Sequence, residues 1–375
     1  TSDTKITTTG SQLYNAANIL KHAFKSDADA GGVIYISLGT VGTIYDNEGS
    51  SFAAKINMNK AQLTAAKPQG QSSAGTIQAQ AYTQGSLKYE NSITNGGFYT
   101  DVVNDSYHKF TYANAITTEN TSLTTEGQKD ITLAAWDDTD IELDTYANSN
   151  GAIASAYAHT TLDLERNNNI DLKAGTNILS NHDVQLYAGR DLLGNASQLD
   201  LIAMAEAYNH SFIAAGTSPQ VYINTFAQNN QVNVEGDSLV QSVHDVYMDA
   251  IGGTMNLTKS AKRYTIWRGN TTSEPTPEEK ATAEARDNHV AVNGAVIAGI
   301  HSGLNLTIDG NANFNETKDS KGDITKVTID SKDVTIATGD GQDWFDKSTV
   351  GKDSLVRFDN PLLERYNELY DSMTG

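Results

Sequence analysis

The densest group of side chains able to do acid and base work is Asp137-Asp138-Thr139-Asp140, three carboxylates within four positions and directly ahead of an apolar phrase. Carboxylates gathered on one face of a β-sheet transfer protons or hold a cation in enzymes that cleave acidic sugars, so Asp137, Asp138 and Asp140 form a weak acid cluster for that chemistry. A polysaccharide lyase also wants a cationic side chain beside them, and the nearest basic residue upstream is Lys129. The competing reading is a turn, because Asp is a turn and cap residue and these three precede a strand. The eight histidines are His22, His108, His159, His182, His210, His244, His289 and His301. None makes the i, i+4 pair with Glu of a zinc protease, and no nucleophile elbow signals a Ser, His and Asp set.

A weak calcium candidate lies near the end, at Gly339-Asp340-Gly341-Gln342-Asp343. Asp340 and Asp343 there match one copy of the Gly- and Asp-rich repeat that binds calcium in β-rolls. Each ion in such a roll is shared between adjacent turns, so several tandem copies are needed and one is present. The tryptophans, Trp136, Trp267 and Trp344, are too widely spaced to establish a carbohydrate platform. The residues thus indicate no catalytic set and no cofactor.

The elements that must position these side chains announce themselves by repetition. Turn residues followed by four alternating positions, apolar at the first and third, recur as Asp130-Ile131-Thr132-Leu133, Asp140-Ile141-Glu142-Leu143, Asn169-Ile170-Asp171-Leu172, Asp183-Val184-Gln185-Leu186, Gln198-Leu199-Asp200-Leu201, Gln231-Val232-Asn233-Val234 and Asp245-Val246-Tyr247-Met248. Later copies begin at Gly303, Lys326 and Asp333. Strand side chains alternate faces, so each phrase presents one apolar face that it cannot bury alone. Parallel stacking of successive phrases buries it, which predicts an all-β parallel solenoid. Spacings of 10, 11, 14 and 15 between first apolar positions argue against a clockwork array and for coils with variable loops. At about 20–25 residues per coil the chain would supply about 15 coils, a rod on the order of 70 Å. Small residues alternate in Ile77-Gln78-Ala79-Gln80-Ala81-Tyr82, Ile153-Ala154-Ser155-Ala156-Tyr157 and Met204-Ala205-Glu206-Ala207-Tyr208, as expected where faces pack closely.

Three helices interrupt the expectation. A stripe of Leu13, Ala16, Ala17, Leu20, Ala23 and Phe24 predicts a short one over 12–24. Thr276-Pro277-Glu278-Glu279 has the form of a capping box with Pro at the first helical position, predicting a helical insertion over about 274–288. Leu362, Tyr366, Leu369, Tyr370 and Met373 predict a C-terminal helical cap or connector over 359–375, behind a β-helix shaft over 1–358.

Composition narrows the function classes. The 375 residues are 38% hydrophobic with 5 prolines and no cysteine, so disulfides, thiolate metal sites and a cysteine nucleophile are excluded. A formal charge of −20, with 46 acidic residues dispersed among 26 basic ones, argues against nucleic acid as a partner. No apolar run approaches the ~20 residues of a membrane span. Thr1-Ser2-Asp3-Thr4-Lys5 has no signal-peptide pattern and no initiator Met, which suggests an excised piece of a longer protein.

Asn168-Asn-Ile-Asp-Leu-Lys-Ala-Gly175, Asn181-His-Asp-Val-Gln-Leu-Tyr-Ala-Gly-Arg-Asp191 and Ser242-Val-His-Asp-Val-Tyr-Met-Asp-Ala250 resemble repeats of very large, cysteine-poor bacterial filamentous adhesins. The nearest style is that of the leukotoxin-type filamentous adhesins, related in design to filamentous haemagglutinin and secreted by the two-partner route. Asn360-Pro-Leu-Leu-Glu-Arg-Tyr-Asn-Glu-Leu369 is similar to helical segments between their repeat blocks. The likeness covers about the middle third of the chain, and the Asn-Pro-Asn-Leu motif of the secretion domain is missing. It implies a right-handed parallel β-helix on the bacterial cell surface, without catalytic residues or cofactors. Implied partners are host-cell or neighbouring-cell receptors or glycans and flanking repeats of the same polypeptide. The alternative is a β-helical carbohydrate-active enzyme: a polysaccharide lyase, glycosidase or tailspike-like depolymerase.

Overall fold

A computed structural model describes residues 4–31, 40–70, 75–265, 277–281, 285–292, 294–298, 304–309, 313–318, 324–330, 333–337 and 356–358. Every regular element among them is a strand, and most pair in parallel. The chain runs in stacked passes. The first contains β2 (Gln12–Gly31), β3 (Thr40–Asn59) and β4 (Gln62–Ala65), preceded by β1 (Lys5–Thr8). The second is β5 (Ile77–Glu119) with β6 (Ser122–Thr125), and the third β7 (Ile131–Leu172) with β8 (Asn177–Ser180). The fourth holds β9 (Val184–Ala188), β10 (Gln198–Val234) and β11 (Leu239–Ser242). The fifth holds β12 (Val246–Ala250), β13 (Thr254–Thr265), β14 (Glu278–Ala281), β15 (Ala285–Val292) and β16 (Ala295–Ala298). Beyond it lie β17 (Leu304–Asp309), β18 (Asn313–Lys318), β19 (Ile324–Asp330), β20 (Asp333–Ala337) and β21 (Val356–Phe358), where antiparallel pairing enters through β15 with β19, β17 with β20 and β18 with β19.

Partners on neighbouring passes stand 53 to 65 positions apart, as Thr132 with Gln185 and Ser11 with Thr76 show. This corrects the expected coil of 20–25 residues. Each pass uses the apolar phrase three times, at its start, along its outgoing arm and at its end. The start column is Ile131, Val184, Val246; the outgoing column is Leu87, Ile141, Leu201, Leu257; the end column is Ile116, Ile170, Val232, Val290. The spacings of 10, 11 and 15 are therefore distances within a pass, and the spacing of 14 separates the end of one pass from the start of the next. Five passes rise only about 24 Å, whereas one arm of some 20 residues extends on the order of 65 Å.

A strand of 43 residues such as β5 stays in one ladder because it folds back without pairing to itself. Side chains that meet across the interior lie 31 positions apart at Thr83 and Asn114, and 13 apart at Asn91 and Asn104, converging near Phe98. Each pass is thus an arch whose two arms face each other and bond to the passes above and below. The inward positions of β5 are alternately buried along almost its whole length, the period-2 pattern the phrases announce.

The interior is stratified. At the open base of the arch, Ile77, Ile116, Ile131, Leu133, Ile170 and Val232 pack with the short-strand column Leu63, Leu123, Ile178, Val240 and Val296. Each fully buried aliphatic side chain contributes about 1.5–3 kcal/mol relative to exposure. Farther out follow an aromatic and leucine stratum around Phe110, Tyr112, Leu143 and Leu162, then a thin one of Ala147, Ala156, Ala158, Ala203, Ala205 and Ala207. The alternating alanines sit where the arms close together, as their size requires. Between strata run buried polar columns, chief among them Asn114, Asn168, Asn230 and Asn288, which are in register and hydrogen-bonded in series at 2.8–2.9 Å.

Register variation has visible causes. Between β7 and its fourth-pass neighbours the offset is 53 at Ile131 and 60 at Asp138, because the fourth pass inserts a loop over 189–197; bulges near Gly216 and Thr225 add the rest. That loop starts at Gly189, whose φ of +94° and whose approach to the Ile251 carbonyl leave no room for a Cβ. One residue per pass takes a left-handed turn into the short strand: Lys60, Asn120, Gly175 and Asp237.

Two of the expected helices are strands. Gln12–Gly31 pairs in parallel with Ile77–Gly96, and its apparent helical stripe is split by the sheet, leaving Leu13, Ala17 and Ala23 exposed while Ala16, Leu20 and Phe24 are half-buried. Glu278–Ala281 and Ala285–Val292 pair with β10, so the ladder offered by Gln220–Val234 overrides the capping signal at Thr276 in the insertion expected over 274–288. The helix expected over 359–375 lies outside the described residues. No helix among the described residues is long and apolar enough to cross a membrane.

Candidate functional site

The alternation of β7 breaks up the sequence cluster. Asp137 points inward and is fully buried, Asp138 points outward, Thr139 is buried and Asp140 is exposed. Asp137 meets Arg166 from the returning arm, which donates through Nε at 2.8 Å and through Nη2, while Asn168 donates to the other carboxylate oxygen at 2.8 Å. The cation expected beside the acids therefore exists, but it comes from 29 positions downstream and the pair is sealed in the polar stratum. The fold-back brings it there, and nothing upstream in sequence signals it.

Asp138 and Asp140 join an acidic outer face. Asp200 stands in register with Asp140, and Gln84 donates to Asp138 at 3.3 Å. Burial, then the charges of Asp200 and Asp138, raise the Asp140 carboxyl above its ordinary value. Lys88 bridges Glu142 and Glu90 on the same face at 2.8 and 2.9 Å. Aromatic side chains form columns alongside: Trp136 stacks on Tyr82 with ring centres 4.7 Å apart, and Tyr208 lies between Tyr146 and Tyr264 at 4.8 and 4.2 Å. Asp340, Asp343, Trp267 and Trp344 lie outside the described residues.

A second arrangement emerges at the start column. Asp130, Asp183 and Asp245 occupy equivalent positions ahead of β7, β9 and β12, and each of the first two accepts the backbone N–H of the next, at 3.2 and 3.1 Å. His182 and His244 precede the latter two, with ring centres 4.5 Å apart. Asp130 Oδ1 lies 2.5 Å from His182 Nδ1, and Asp183 Oδ2 lies 3.6 Å from the same nitrogen. A ligand atom from each of His182, Asp183 and His244 falls within 4.8 Å of the others, and all three residues are half-buried. Burial raises the Asp183 carboxyl, opposed by the Asp245 N–H and by His182. Reading histidines by i, i+4 spacing misses this set, because its spacing is one pass. The detectable signal is the His-Asp-Val triplet recurring at 182–184 and 244–246.

Among known proteins, no family model, no curated protein and no solved structure matches the chain.

Proposed function

We propose that the chain is a structural and adhesive segment of a large bacterial cell-surface filament, in the style of the leukotoxin-type filamentous adhesins, and carries out no catalysis. Its stacked passes are then turns of a right-handed parallel β-helix. The observation that supports this reading is the parallel register maintained from β2 through β15, with amides, aromatics and acids repeated in columns along the stacking direction. Such a surface offers the same chemistry at each step and suits extended, low-specificity contact with receptors or glycans on host or neighbouring cells. Flanking repeats of the same polypeptide would stack on its outermost strands, whose backbone groups are templates for further pairing.

The test is adhesion of the immobilised protein to cells and to a glycan array, run beside degradation of acidic polysaccharides. Retention of cells or glycans with intact polymers is expected. Polymer cleavage by the wild type that disappears in Asp138→Ala and Asp140→Ala would replace this reading with the carbohydrate-active enzyme.

A further inference from the structure

Two imidazoles and a carboxylate converge at the start column from two adjacent passes, with a second carboxylate from a third pass against one imidazole. Nitrogen and oxygen donors in this mixture suit zinc and its first-row neighbours better than calcium or magnesium, which favour all-oxygen shells. A tetrahedral ion with bonds of about 2.0–2.1 Å needs donors about 3.3 Å apart. The present spread of up to 4.8 Å closes to that by modest side-chain rotation. Nδ1 of His182 faces both Asp130 and Asp183, at 2.5 and 3.6 Å; with Nδ1 donating to Asp130, the Nε2 lone pair serves a cation once Asp183 swings toward that edge of the ring, the arrangement by which a carboxylate fixes a ligating imidazole. Half-burial leaves an entry path from solvent.

We propose that His182, Asp183 and His244 bind one divalent transition-metal ion, zinc being the best fit, with Asp130 as the carboxylate that orients His182. The ion ties the fourth pass to the fifth directly and to the third through Asp130. It is a clamp between passes at the position where each begins its apolar phrase, and it acts independently of any adhesive role.

Zinc chloride titrated calorimetrically into the chelator-stripped full chain is expected to saturate at one ion per chain and to raise the melting temperature, reversibly on adding chelator. His182→Ala and His244→Ala should each weaken binding at least about tenfold, Asp130→Asn by about 10- to 100-fold, and exposed His22→Ala not at all. Should an alanine variant lose its β-sheet circular dichroism, His182→Gln and His244→Gln take its place. Cobalt in the wild-type chain gives an independent reading, with the intense visible bands of a tetrahedral site expected. Absence of saturable zinc binding, binding unchanged in the histidine variants, or only the faint spectrum of octahedral cobalt would each overturn the assignment.

Discussion

Arg166 holds Asp137 through two nitrogens across the interior of the third pass, and neither side chain reaches solvent. Removing one member strands a buried charge, so Asp137→Ala or Arg166→Ala should cost about 3–5 kcal/mol, measured by urea unfolding. The paired replacement Asp137→Leu with Arg166→Met should recover most of that loss, because two apolar groups of similar size no longer need each other. A double variant as unstable as either single one would show that the pair does more than satisfy itself.

Asn168 offers a finer probe. It donates to both Asp137 and Asn230 and accepts from Asn114, so it links the ion pair to the amide column. Asn168→Ala should destabilise by about 1–3 kcal/mol through the unpaired groups left behind. The same change at Asn288, which accepts from Asn230 at 3.2 and 2.9 Å but sits two rungs along the column from the residue that holds the ion pair, should cost less. Equal losses in chemical denaturation would argue against a cooperative column.

Gly189→Ala tests the turn that opens the fourth-pass loop. Its positive φ alone should cost about 1–3 kcal/mol, and a Cβ would sit 2.0 Å from the Ile251 oxygen. Gly194, with a positive φ but open space around it, should suffer only the backbone part. Comparing the two melting temperatures separates strain from collision.

The outer acids predict a pH dependence. Asp140 has a folded value raised above its ordinary value of 3.8, so the folded state holds that proton more tightly than the unfolded one. Stability from this group is present below the unfolded value and lost as pH rises through the folded one. Asp140→Asn should therefore melt higher than wild type at pH 7, and the gap should close as pH falls toward about 4. High salt should shrink it as well.

What the sequence made legible was the strand and its inward face. Ile131, Leu133, Ile170 and Leu172 are all buried as their alternation demands. Strand phrases carry no label for the column they belong to, so three phrases per arch looked like three short coils. The helical stripe at Leu13–Phe24 and the capping box at Thr276 are local signals, and each gave way to a neighbouring ladder. The acids at 137–140 were visible as a group, but their division between interior and surface follows only from the period of two. His182 and His244 were hidden because their proximity is set by the length of a pass.

That length also governs how the chain reaches its fold. Every parallel rung among the described residues joins positions more than fifty apart, as Thr132 and Gln185 do, so little is gained until a whole arch has been laid down. Contact order is high and the first closure is the slow event, while each later arch has a finished edge to zip along. Assembly is thus a templated growth process, directional by construction, in which an early error at one edge is copied by everything laid upon it.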